Sequence, residues 1–267
     1  MPDRRRTLRT AGRQLGAALA LFALAGCAHH GVDVAADARP WHDAGQVVVV
    51  TTPGWDADHG TLRAYEHGAG GWRAVRAAQP VTVGRAGAAW GIGLHPAPAA
   101  GPVKREGDGR APAGVFRIGT AFGYAANAGT ALPYAPMDVS DWCIDVPASP
   151  LYNRIVDARD VGAEAITGST EPMRRDLHAD GDQRYRLGFV VEHNPGALPG
   201  AGSCIFAHLW KAPGAPTAGC TAMAPATMQT LLGWLRPEAA PVLVLLPADE
   251  YARLHAGWRL PPPEARP

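Results

Sequence analysis

The sequence contains no Cys-x-x-Cys pair and no His-Glu-x-x-His, and its one His-His pair, His29-His30, falls in a stretch without apolar periodicity. Protein zinc sites need such groupings at ligand spacing, so neither a metal nor a cofactor is expected. No Lys/Arg run and no basic stripe interleaved with aromatics follows the first few residues. The electrostatic footprint of a nucleic-acid binder is therefore missing. Residues 46–250 hold no repeat, no heptad pattern, no low-complexity block and no shift of composition, which excludes solenoids and coiled coils and leaves a single domain. The longest apolar stretch, residues 15–24, is too short to cross a bilayer and has the length of a signal-peptide core.

That stretch follows Arg4, Arg5, Arg6, Arg9 and Arg13 and ends in Leu24-Ala25-Gly26-Cys27. The ending resembles the lipobox of bacterial lipoproteins, in which the cysteine is acylated and becomes the new N-terminus. Residues 1–26 are thus expected to be a lipoprotein signal peptide, Cys27 the lipidation site, residues 27–45 a tether and residues 46–260 the folded domain. A soluble signal peptide with an incidental cysteine is the alternative, and it too puts the domain outside the cytoplasm. The expected location is the periplasm, with the membrane a partner through the lipid. The formal charge of +1 belongs largely to the leader: without its five arginines and Asp3, 20 basic side chains face 23 acidic ones.

The 32 glycines and 25 prolines break the chain into short segments, which favours strands and turns over a helical bundle. Residues 46–52 carry the run Val47-Val48-Val49-Val50-Thr51-Thr52 before Pro53-Gly54 and read as a central strand. Residues 61–66 and 72–75 flank a glycine-rich turn and read as a hairpin. Further strands are expected at 81–83, 114–118, 186–192, 203–208 and 242–246. One helix is expected over 225–235, where Pro225 opens it and Met228, Leu231, Leu232 and Leu235 recur at helical spacing. The fold class is mainly β with a few helices, in a curved or closed sheet.

Ser203-Cys204-Ile205-Phe206-Ala207-His208 is followed, after a Pro/Gly-rich loop, by Thr217-Ala218-Gly219-Cys220-Thr221. A thiol of ordinary pKa is only a few per cent ionised at neutral pH, so a nucleophilic cysteine needs a base beside it. His208 is the candidate base, and Gly219 allows the tight turn that exposes a sulfur and aims backbone N–H groups at an oxyanion. Taken singly, Cys220 reads as a buried structural thiol and His208 as a core histidine.

Together with Gly107-Asp108-Gly109-Arg110-Ala111-Pro112-Ala113-Gly114-Val115-Phe116-Arg117-Ile118 upstream, this segment resembles the YkuD-type L,D-transpeptidase family across residues 46–246. The resemblance implies a β-rich catalytic domain with Cys220 as nucleophile, His208 as base, and the backbone of Ala218, Gly219 and Thr221 as orienting and oxyanion-binding groups. It also implies peptidoglycan stem peptides as partners. The thiolate would attack a stem-peptide carbonyl, expel a terminal D-amino acid and leave an acyl-thioester, which a second stem's amine resolves to give a cross-link. Resolution by water, by a free D-amino acid or by a protein lysine is left open, as is a catalytically silent wall-binding lipoprotein. The sequence departs from the family pattern in its short His208-to-Cys220 loop and in Ala222, which replaces the basic or amide residue often found there. Arg110 or Arg117 is therefore the expected carboxylate-binding residue, with Arg110 preferred because Arg117 alternates within a strand and can face solvent, and His193 and Asn194, at a strand end, are expected to line the cleft. Nothing in the sequence fixes an oligomeric state.

Besides Cys27, the cysteines are Cys143, Cys204 and Cys220, an odd set for an oxidising compartment. The preferred pair is Cys143 with Cys204, which keeps Cys220 reduced; a buried free thiol at Cys204 is the alternative.

Overall fold

Four consecutive valines fit a strand covered on both faces, because their branched side chains pack on a pleated surface from either side. In the computed structural model, which describes residues 39–97 and 100–263, they form β1 (Gln46–Thr52), with Val47 to Val50 all buried. The hairpin follows as β2 (His59–Gly68) and β3 (Gly71–Ala74), then β4 (Gln79–Thr82) and the short β5 (Ala88–Trp90). The glycine motif runs into the long β6 (Ala111–Gly123), trailed by β7 (Tyr134–Pro136). Next come β8 (Asp141–Cys143), β9 (Ile155–Asp157), α1 (Ala158–Val161), β10 (Glu171–Pro172) and α2 (Arg175–His178). The chain ends with β11 (Leu187–Val191), β12 (Phe206–Leu209), β13 (Thr221–Met223), α3 (Pro225–Trp234), β14 (Val242–Pro247) and α4 (Ala248–Leu254).

Hydrogen bonding runs β1-β14-β6-β11-β12-β13-β4-β2, and an added β1–β2 pairing returns to the start. The sheet is therefore a closed barrel, which leaves no unpaired edge around the ring. Its core gathers Phe116, Phe189, Val244 and Leu245 with Met228, Leu231 and Leu232 of α3. A second buried cluster, with Phe122, Met173, Tyr185 and Phe206, also holds Cys143, Cys204 and Cys220. Strands β8, β9 and β10 make a separate small sheet. The Cys143–Cys204 disulfide ties it to the segment before β12 across 61 residues of sequence. Closing a loop of that length restricts the unfolded chain by on the order of 4 kcal/mol.

Two expectations shift. The strand expected at 203–208 begins only at Phe206, because Cys204 has φ +54°, a left-handed conformation that cannot continue a ladder. The tether expected through residue 45 is shorter, because Trp41 is 4% exposed and its Nε1 donates to the Trp258 carbonyl at 3.2 Å. Gly45 N also donates to Ala239 O at 2.7 Å. The signal peptide, Cys27 and the rest of the expected tether up to residue 38 lie outside the described residues. At the other end Leu260, 4% exposed, still belongs to the core.

Trp41→Ala, which empties the site where the first described residues dock, is expected to cost about 3–5 kcal/mol. The melting midpoint should fall by about 10 °C in calorimetry, and an unchanged midpoint would show that residues 39–45 do not belong to the folded unit.

Candidate active site

Strands β12 and β13 run parallel, with Ala207 opposite Thr221, His208 opposite Ala222 and Leu209 opposite Met223. Side chains alternate between the two faces of a sheet. Ala207, Leu209 and Met223 enter the barrel core, so His208 turns to the other face, and Cys220, two residues before Ala222, follows it. Tyr185 confirms the shared face: its ring lies 5.3 Å from His208 and belongs to the same buried cluster as Cys220.

The turn into β13 is held by Thr217. Its Oγ1 donates to Cys220 O at 2.7 Å and accepts from Gly219 N at 3.1 Å. A Cβ on Gly219 would stand 3.0 Å from Arg110 O, so the glycine is needed for the close passage of the two backbones. Cys220 is the free cysteine of the described residues. Its Sγ accepts from Phe206 N at 3.3 Å and donates to Cys204 O at 3.5 Å. The left-handed Cys204 that supplies this carbonyl costs about 1–3 kcal/mol in backbone conformation. The disulfide holds it on one side, and on the other Asn153 Oδ1 accepts from Cys204 N at 2.9 Å.

The Cys220 thiol and the His208 imidazole are both neutral in the folded chain. Burial pushes the Cys220 thiol up to about 12, and the Glu171 carboxylate adds to the effect. Burial likewise brings His208 down to about 4, against the opposing pull of the Leu209 carbonyl. His208 Nδ1 lies 2.7 Å from Leu209 O; a carbonyl only accepts, so Nδ1 carries the proton and Nε2 keeps its lone pair. That is the tautomer of a base. Glu171 is itself raised by burial, and it accepts a hydrogen bond from the Tyr185 hydroxyl.

The cleft over Cys220 has a volume of about 150 Å³ and is lined among others by Arg85, Lys104, Glu171, Ala218 and Gly219. A larger cavity of about 390 Å³ shares Cys204 and Ile205 with this cleft and is walled by Phe122, Met137, Val190 and His193. Among the described residues, no group of three or more His, Cys, Asp or Glu side chains is placed to hold a metal ion.

Several residues expected at the cleft are engaged elsewhere. The Arg110 guanidinium donates to the carbonyls of Trp55 and Ala88 and pairs with Asp56 at 2.7 Å, so it braces the glycine motif and does not line the cleft. His193 lines the larger cavity with both ring nitrogens committed, Nδ1 accepting from Ile92 N and Nε2 donating to Ala201 O. Asn194, at φ +51°, spends its amide on Leu198 and Gly202 and closes a loop. Of the three expected oxyanion residues, Gly219 has given its N–H to Thr217 and Thr221 lies in the β12–β13 ladder; Ala218 remains at the cleft wall.

A family model describing the L,D-transpeptidase catalytic domain, YkuD, matches residues 47–244. The chain belongs to the YkuD family. No curated protein and no solved structure matches it. In this YkuD chain, Thr217 is marked in the sequence itself as part of the Thr-x-Gly-Cys motif. Glu171, Tyr185 and Arg85 carry no local signal, since Glu171 and Arg85 reach the cleft, and Tyr185 the His208 ring, only through the tertiary fold.

Two measurements test the electrostatics of this YkuD site. Alkylation of Cys220 by iodoacetamide should rise about tenfold per pH unit through pH 10 without levelling off, as a thiol raised above its ordinary value requires; a plateau near pH 7 would disprove the neutral resting state. His208 and His193, both lowered to about 4 by burial, bind protons more readily in the unfolded chain. Stability should be full above pH 6.5 and fall as pH drops from 6.5 towards 4, by on the order of 3 kcal/mol per histidine. Melting midpoints that stay level between pH 7 and pH 4 would contradict this.

Proposed function

We propose that the chain is an exported, lipid-anchored L,D-transpeptidase that cross-links or remodels peptidoglycan stem peptides through an acyl-thioester on Cys220. The carrying observation is a reduced cysteine at the wall of a cleft, on the same sheet face as a histidine whose Nε2 is unprotonated. In this reading His208 Nε2 takes the thiol proton as Sγ attacks the stem-peptide carbonyl, so the ion pair forms only along the reaction path. The C–N bond then breaks, His208 returns the proton to the departing D-amino acid, and the acyl group stays on sulfur. An incoming amine adds to the thioester carbonyl and gives up a proton to His208; the C–S bond breaks and the proton returns to Sγ. The Ala218 backbone at the cleft wall is the expected group left to meet the developing oxyanion, and Tyr185 packs edge-on against the imidazole ring. Export by the 1–26 leader and acylation of Cys27 belong to the same reading and give a periplasmic enzyme.

Purified chain lacking the leader, incubated with disaccharide-tetrapeptides and followed by mass spectrometry, should yield cross-linked dimers that Cys220→Ala abolishes. His208→Ala should lower their rate by about 10²- to 10⁴-fold. Tripeptides alone would identify an L,D-carboxypeptidase, and exchange of the terminal residue for added D-amino acid an exchange enzyme. No Cys220-dependent conversion under any acceptor would sink the catalytic reading in favour of a wall-binding lipoprotein.

A further inference from the structure

A donor that loses its terminal amino acid presents a free carboxylate within a few bonds of the attacked carbonyl, and a buried-edge cleft must neutralise that charge. The position after the Gly-Cys pair does not supply the cation. Ala222 is 1% exposed and packed in the ladder between His208 and Thr82, so a long basic side chain does not fit there. Arg110 is spent on Trp55, Ala88 and Asp56.

Two cations line the Cys220 cleft, Arg85 and Lys104. Lys104 is consumed: its Nζ lies 2.5 Å from Asp108 Oδ1 and 2.6 Å from Arg105 O, in a side chain 4% exposed. The lining acids are occupied as well. Glu106 accepts from the Tyr152 and Ser203 hydroxyls, Asp145 from Ser169 and Thr170, and Glu171 from Tyr185. Arg85 alone among these charged side chains is exposed and has no ion pair or side-chain hydrogen bond among the described residues.

Its backbone, in contrast, is tightly placed. Arg85 sits in the turn that Gly87 N closes onto Gly84 O at 2.7 Å. Arg85 N donates to Thr217 O at 2.8 Å, and Ala86 N to Gly109 O at 3.0 Å. A Cβ on Gly84 would come within 2.3 Å of Gly109 O, so the turn lies directly on the glycine motif. The guanidinium rests on Gly109, where a Cβ would approach Cζ to 3.2 Å. Thr217, which holds Arg85 by its carbonyl, also holds Cys220 by its hydroxyl. One residue thus anchors both the backbone that carries the free guanidinium and the turn that carries the thiol.

We propose that Arg85 is the specificity-determining residue of this site, binding the C-terminal carboxylate of the donor peptide through its guanidinium fork. A guanidinium matches a carboxylate bidentately, which an ammonium does not. This rests on the acyl-transfer reading above, and it selects donors that end in a free acid.

Calorimetric binding to the Cys220→Ala chain, which cannot turn over, compares a disaccharide-tetrapeptide with the same peptide ending in a carboxamide. Arg85→Ala should weaken the acid about tenfold or more and leave the already weak amide unchanged, while Arg85→Lys should recover only part of the loss. Equal binding of acid and amide to the chain with Arg85, equal weakening of both by Arg85→Ala, or no binding of the acid at all would overturn the proposal. Acid-over-amide discrimination that depends on Arg85, in a wild-type chain that shows no Cys220-dependent turnover, would instead retain the carboxylate site and remove the catalytic reading.

Discussion

The parallel pairing of Phe206–Leu209 with Thr221–Met223 is the constraint on which the site depends. Parallel neighbours cannot be joined by a tight hairpin; the chain must travel back to the starting end before it can pair again. Here it does so in residues 210–220, about the shortest crossover that geometry permits and one without a helix. That return brings Cys220 level with Phe206 at the entry to the ladder, on the face to which His208 turns. The Pro/Gly composition of the crossover and the Thr217 clamp follow from the need to reverse so quickly and then enter a strand in register.

The small sheet of β8, β9 and β10 completes what the ladder begins. Glu171 in β10 reaches the cleft from this side, and Cys143 in β8 ties the sheet to Cys204. Enclosure of this kind disfavours charge on both the thiol and the imidazole, so the resting site stores no ion pair. It also removes the water that would screen developing charge, so fixed dipoles act on the reacting atoms more strongly than they would in solvent. A polar peptide that enters this cleft must bring or find partners for each of its charges. An unpaired guanidinium at the rim is then chemically conspicuous.

The barrel was legible in the sequence where local chemistry dictates structure. The valine run, the glycine hairpin and the Pro225 helix all appear within a residue or two of their expected bounds, and the Thr-x-Gly-Cys motif marked the turn. Legibility failed where a residue's role depends on partners distant in sequence. Arg110 reads as an available cation until Asp56 and two carbonyls meet it, 54, 55 and 22 residues away. His193 and Asn194 read as a polar strand end until Ala201, Leu198 and Gly202 fold back on them. Cys204 reads as a strand residue, because neither the disulfide nor the Asn153 hydrogen bond that hold its left-handed backbone is a local feature.

Three cysteines in one buried cluster also impose an order on maturation. In a flexible chain the ease of closing a loop falls with its length, and Cys204 lies 16 residues from Cys220 but 61 from Cys143. By the same scaling, the shorter closure is favoured by roughly sevenfold while the chain is unfolded. That closure consumes the one thiol the folded domain keeps free. To reach this disulfide pattern the chain must therefore dock its small sheet before it oxidises, or undo the early bond by thiol exchange, and the yield of protein with Cys220 free is set by the history of its sulfurs as much as by the stability of its barrel.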